Sequence, residues 1–106
     1  MKYFMVNVKL YTLDEKGVEN GTITTTHVPT IAKDSLSAKA CAVVWQSDGG
    51  IATIDNQRPE DFVCIEKERG YSWVVTRCIE VTQEEFDIFR SITSGISENA
   101  YCKQED

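Results

Sequence analysis

The chain of 106 residues has a single histidine, His27, only two prolines, and no long block of like charge. Each shortage excludes something. One histidine with four cysteines at positions 41, 64, 78 and 102, spaced by 23, 14 and 24 residues, offers no CxxC pair and no zinc-type pattern, so no metal or other cofactor is expected. The acidic stretch around Asp55 and "RPED" lacks the glycine and regular oxygen spacing of a calcium loop. "SDGGIATID" lacks the lysine of a phosphate-binding loop. Near the start, Asn7 and Lys9 interrupt the apolar run before a signal-peptide core or membrane span is complete. A cytoplasmic protein with reduced thiols and no membrane contact is the expectation. No Pro/Gly/Ser-rich linker divides the chain, which predicts one compact domain over residues 1–106 with a loose tail at about 103–106.

What is present is enough apolar residue for one core, 42% of the chain with 9% aromatic, and a lopsided charge. Residues 1–49 carry five acids and five lysines. Residues 50–106 carry twelve acids against six bases, which accounts for the whole net charge of −6. A nucleic-acid footprint needs clustered positive charge to displace counterions from phosphates, so this balance argues against one and is compatible with a basic protein partner.

In "KYFMVNVKLYTL" the even positions Phe4, Val6, Val8 and Leu10 repeat with the strand period of two. Turn signals at Lys16-Gly17 and Asn20-Gly21 precede the threonine-rich "TITTTHVPTI", so a hairpin follows. Either turn pairs even positions of the first strand with odd positions of the second. This would set Ile23, Thr25 and His27 on the face of Phe4, and Val28 on the opposite one with Tyr3, Met5, Asn7, Lys9, Tyr11 and Leu13. Asp34 or Ser35 caps a helix whose stripe is Leu36, Ala40, Val43, Val44 and Ser47, stopped at Gly49-Gly50. "IATI" is a candidate short strand, and "DNQRPED" a loop. "FVCIEKERGYSWVVTRCIEV" is a second hairpin turning near Arg69-Gly70. Thr82 and Glu85 form a capping box, with Val81 and Phe86 as a staple, ahead of a helix presenting Phe86, Phe89, Ile92 and Ile96 around a stop at Gly95. The predicted fold is α+β: a single antiparallel sheet of four or five strands with two helices packed on one face, in the order ββα(β)ββα.

Histidine is the residue type that most often serves as a general base, yet the sequence sets no nucleophile or orienting acid beside His27, and a strand histidine is the simpler reading. Cys41, Cys64 and Cys78 fall within a helix and strands and read as core filling; Cys102, near the end, is an oxidation liability. No catalytic residue is therefore expected. The outward side of the first strand is too apolar to meet only water, and the acids gather around one turn and one helix start. Binding is expected to rest on Tyr3, Met5, Tyr11 and Val28 as apolar contacts and on Glu66, Glu68, Glu84, Glu85 and Asp87 for steering.

The functional expectation is a non-enzymatic acidic protein-binding module, a regulator or inhibitor of a larger complex, with a homodimer as a further candidate assembly. Compact acidic domains without catalytic groups are the type expected among phage or mobile-element accessory and counter-defence products. Two rivals remain: a nucleic-acid-binding domain using Tyr3, Lys9 and Tyr11 on a sheet face, and a small enzyme using His27 or a cysteine.

Overall fold

A computed structural model describes residues 1–47, 52–55 and 62–92. The Gly49-Gly50 stop, the loop over 56–61, the Gly95 stop with Ile96, Cys102 and the 103–106 tail lie outside the described residues.

Seven elements follow one another: β1 (Lys2–Leu13), β2 (Glu19–Ala32), α1 (Ser35–Gln46), β3 (Thr53–Ile54), β4 (Val63–Glu66), β5 (Tyr71–Val81) and α2 (Gln83–Ile92). The strands form one antiparallel sheet in the order β2-β1-β5-β4-β3. The α+β class and the element order agree with the sequence reading. Among the described residues no helix is long and apolar enough to cross a membrane.

The first turn forms at Lys16-Gly17, because Asp14 organises it. Its carboxylate accepts the Lys16 and Val18 amides at 2.8 and 2.9 Å, and Gly17 takes the positive φ of 79° that a side chain would resist. Asn20-Gly21 lies within β2 instead. Gly70 plays the same part between β4 and β5, with φ of 73° and its amide on the Glu66 carbonyl.

Beside that first turn the pairing sums to an even number, Leu13 facing Glu19 and the Asp14 amide on the Val18 carbonyl, because the loop between them holds three residues. An extra residue at Asn20 then makes the sum odd, with Thr12 facing Gly21 and Tyr11 facing Thr22. One step on, Leu10 faces Thr24 and Ile23 is left as a second extra residue, again a β-bulge. From there the register is even with even: Val8 with Thr26, Val6 with Val28, Phe4 with Thr30. The two bulges cancel, and the even register reverses the expected face assignment for the rest of β2. Val28 turns inward, fully buried, and Thr25 and His27 turn to the outer side with Asn7 and Lys9. A single bulge at Thr76 serves β5: Trp73 and Val75 before it and Cys78 after it all reach the inner face.

The inner face carries the main core. Phe4, Val6, Val8, Val28, Ala32, Cys64 and Trp73 pack against Ala38, Ala42 and Val43 of α1. The helix therefore buries a face turned from the expected stripe: Ala38, Cys41 and Ala42 go in, whereas Leu36 is 65% exposed and Val44 is exposed too. Alanine at the contact brings the helix axis close to the sheet, which the larger Leu36 would prevent. The cap is Asp34, which accepts the Ser37 amide at 2.7 Å.

Both helices were expected on one face, and this requires correction. Phe86, the buried residue of α2, sets its ring 5.0 Å from that of Tyr3, and Tyr3 and Met5 are odd positions pointing away from Phe4 and Val6. The second helix thus covers the outer face at its β1-start end, over Tyr3, the buried Met5 and, one strand further, the fully buried Pro29 that pairs with Met5. Its start is the expected capping box, with the Thr82 amide on Glu85 Oε1 at 2.8 Å and the Glu85 amide on Thr82 Oγ1 at 3.1 Å.

Two predictions come from this packing. Phe86→Ala should cost about 3–5 kcal/mol, while Ile88→Ala on the opposite side of α2 should stay within about 0.5 kcal/mol; urea unfolding of the two variants measures both. The Ser37 amide holds the Asp34 carboxyl below its ordinary range, with the Ser37 side chain and Lys33 adding to this. A depressed folded pKa means stability that is full above the unfolded value and is lost as pH falls through the folded one. Melting temperature should therefore drop on acidification below the usual carboxylate range, and drop less in Asp34→Asn, which still caps but does not titrate.

Candidate functional site

The residues expected to bind a partner do not form one surface. Met5 and Val28 are buried, Met5 under α2 and Val28 in the main core, so neither can meet another molecule. Tyr3 is half-buried against the Phe86 ring. Tyr11 alone of the four stays on the part of the outer face that α2 and the other described residues leave uncovered, where the Lys9 ammonium sits 5.4 Å from its ring centre. The apolar character of outer β1 was read correctly, but the chain itself supplies the cover.

The acidic set divides as well. Glu66 and Glu68 flank the β4–β5 turn; Glu84, Glu85 and Asp87 lie beyond the other end of β5, on α2. Ten residue steps of strand separate these ends, about 33 Å at about 3.3 Å per step. Glu66 is 4% exposed and paired with the Arg69 guanidinium, which also lies over the Tyr71 ring at 5.6 Å; its role is to close the turn. Glu85 is engaged in the capping box. Glu68, Glu84 and Asp87 are exposed and remain available.

His27 occupies a row that crosses three strands on the outer face. Its Nδ1 is 2.6 Å from Asn7 Oδ1, and Asn7 faces Arg77 on the other side. An amide oxygen only accepts, so the proton of this bond sits on His27 Nδ1 and the ring is oriented by a neutral neighbour. An asparagine oxygen can orient a catalytic histidine as a carboxylate does, but such a base also faces a nucleophile. The other members of this row, Asn7 and Arg77, are an amide and a guanidinium.

The thiols are inert in character. Cys41 and Cys64 are buried, and Cys78 is half-buried 3.7 Å from the Ser35 hydroxyl. Burial pushes the Cys64 and Cys78 thiols above their ordinary value, only partly offset by the hydroxyls of Ser47 and Ser35 respectively. Raised thiols are protonated at neutral pH and are poor nucleophiles. Among the described residues no three His, Cys, Asp or Glu side chains converge as metal ligands would. A cleft of about 310 Å³ opens at the turn end, between Asp14–Gly17 and Lys67 with Gly70; two acids, Asp14 and Glu15, and two lysines, Lys16 and Lys67, line it with balanced charge.

The surface that the sequence reading missed is the outer side of α2. Glu84, Ile88 and Ile92 follow at helical intervals of four with Asp87 and Ser91 beside them, and all five are exposed. Ile88 is 57% and Ile92 73% exposed. Ile92 had been assigned to the buried stripe with Phe86 and Phe89. Helical phase could have separated it: Phe86 and Ile92 are six residues apart, 600° of rotation or 120° from eclipsed at about 100° per residue.

Comparison with family models, with curated proteins and with solved structures finds no match to the chain.

For the thiols the expected outcome is measurable by mass spectrometry after brief iodoacetamide treatment of the native protein at neutral pH. Cys41 and Cys64 should remain unmodified and Cys78 should react slowly, with all three labelled once the chain is unfolded.

Proposed function

We propose that this protein is a non-enzymatic protein-binding module whose contact surface is the outer side of α2, where it engages a larger complex as a regulator or inhibitor. The observation that carries this reading is the pair Ile88 and Ile92, two large apolar side chains one helical turn apart and more than half exposed, bordered by the exposed carboxylates of Glu84 and Asp87. An isoleucine pair of this kind supplies a desolvated centre, and flanking acids steer a basic partner surface toward it. The row of His27, which holds only an amide and a guanidinium beside it, and the raised, shielded thiols of Cys64 and Cys78 support a binding role over a catalytic one.

The nucleic-acid rival retains one supporting observation. Lys9, Tyr11, Arg77 and His27 share the uncovered outer face, a cationic and aromatic area on a chain of net charge −6. Its aromatic platform is reduced, because Tyr3 is committed to Phe86.

The test is capture of partners on the tagged chain compared with capture on Ile88→Asp/Ile92→Asp, both checked for native melting. One stoichiometric protein lost from the double variant, and weakened by salt and by Glu84→Lys/Asp87→Lys, is the expected result. Equal capture on wild type and double variant would refute the α2 surface, and recovery of nucleic acid that Lys9→Glu/Arg77→Glu abolishes would establish the rival.

A further inference from the structure

The sheet has two edges, and they are treated differently. β3 is two residues long, Thr53–Ile54, and a strand that short offers little to an incoming chain. β2 is fourteen residues long and among the described residues pairs only with β1. From Asn20 to Ala32 it carries no acid, lysine or arginine, thirteen residues in a chain otherwise rich in charge. Charged side chains are a usual guard of a free edge, and here they are missing. The guards present are bulges at Asn20 and Ile23 and, further on, Pro29. Between Ile23 and Pro29 the segment Thr24–Val28 is regular β-strand.

The direction of the backbone groups in that segment follows from two independent features. Thr76 of β5 donates its hydroxyl to the Asn7 carbonyl at 3.4 Å, so the Asn7 backbone faces β5 and not β2. Asn7 and His27 are then a pair without mutual backbone bonds, the closer kind of antiparallel pair, in agreement with their 2.6 Å side-chain contact. Pro29 has the same parity as His27, and an edge strand accepts proline where the missing N–H would point to solvent. The N–H and C=O groups of Thr25 and His27 therefore point out of the sheet at the open edge.

We propose that a second copy of this chain pairs with this edge, β2 against β2 in antiparallel sense, with the two-fold axis at Thr26. The axis position follows from the guards: Thr26 is midway between Ile23 and Pro29. Thr25 of each copy then faces His27 of the other, which satisfies the outward groups of both residues with roughly four backbone hydrogen bonds, and Thr26 faces Thr26. A second copy is favoured over a different partner by charge. A basic partner is drawn to the acids on α2 and at the turns, whereas an uncharged threonine-rich strand is matched by another of the same kind, and threonine pairs well across strands. This surface is separate from the outer side of α2, so the two proposals fail independently.

The experiment is sedimentation equilibrium of the full chain from micromolar to millimolar concentration, with Thr25→Pro and Thr25→Lys as variants. Proline at 25 removes an outward N–H and leaves the β1 ladder intact; lysine adds the missing guard at an exposed position and serves if the proline variant melts early. The expected result is a concentration-dependent dimer that both variants weaken at least about tenfold, with amide exchange of Thr25 and His27 slowing as concentration rises while Thr26 is protected throughout. A monomer across the whole range would overturn the proposal. So would a dimer that survives both variants, or one lost in Ile88→Asp/Ile92→Asp but not in Thr25→Lys.

Discussion

Every face assignment along β2 depends on an even register with β1, set by the first turn and preserved by two bulges that cancel. The loop between Asp14 and Val18 holds three residues, so Leu13 faces Glu19 and paired positions sum to an even number. An extra residue at Asn20 makes the sum odd over Tyr11 and Thr12, and a second at Ile23 makes it even again. A strand has a period of two, so one inserted residue exchanges the two faces for everything beyond it and a second restores them. The even register leaves Ile23 itself 51% exposed and brings Val28, Thr30 and Ala32 into line with Val6, Phe4 and Lys2. That exposure is a small loss beside the odd register, in which His27 would turn into the apolar core without a polar partner.

Much of the fold is legible because its signals are local. The Asp14 turn, the Gly70 turn, the Asp34 cap and the Thr82–Glu85 box each rest on side chains meeting backbone a few residues away, and each was readable from spacing. The register was not. Lys16-Gly17 reads as a two-residue turn, whereas the loop between Asp14 and Val18 holds three residues, and in "GTITTTHV" the threonines suit either face, so no alternation of apolar and polar residues reveals the difference. The error then passed to Val28 and, through the assumption that outer β1 was bare, to Tyr3 and Met5. The placement of α2 was hidden for a related reason: from sequence its stripe is apolar, but only its path after Val81 decides which side of the sheet receives Phe86.

The acidic half of the chain shows how local chemistry absorbs charge that composition presents as a single field. Glu66 closes a turn with Arg69, Glu85 completes a helix cap, and Glu84 lies where a helix N-terminus stabilises negative charge. A net charge of −6 is therefore not a surface in itself. What remains for an encounter with another molecule is the smaller set at α2, where charge borders exposed isoleucine.

The even register of β2, the bulge at Thr76 and Pro29 together explain why α2 covers one part of the outer face and not the rest. At one end Tyr3, Met5 and Pro29 are apolar and lie under α2; in the middle the row His27, Asn7 and Arg77 is polar and needs no cover. The even register of β2 on β1 delivers His27 to this row, and the bulge at Thr76 does the same for Arg77. With either pairing shifted by one residue, His27 or Arg77 would turn toward the core. The sheet thus uses its turn and its irregularities to fit two opposing layers, a broad alanine-lined contact with α1 and a narrow aromatic one with α2. The bulge at Ile23, by leaving a regular uncharged segment between itself and Pro29, also determines where the open edge of β2 can accept another strand.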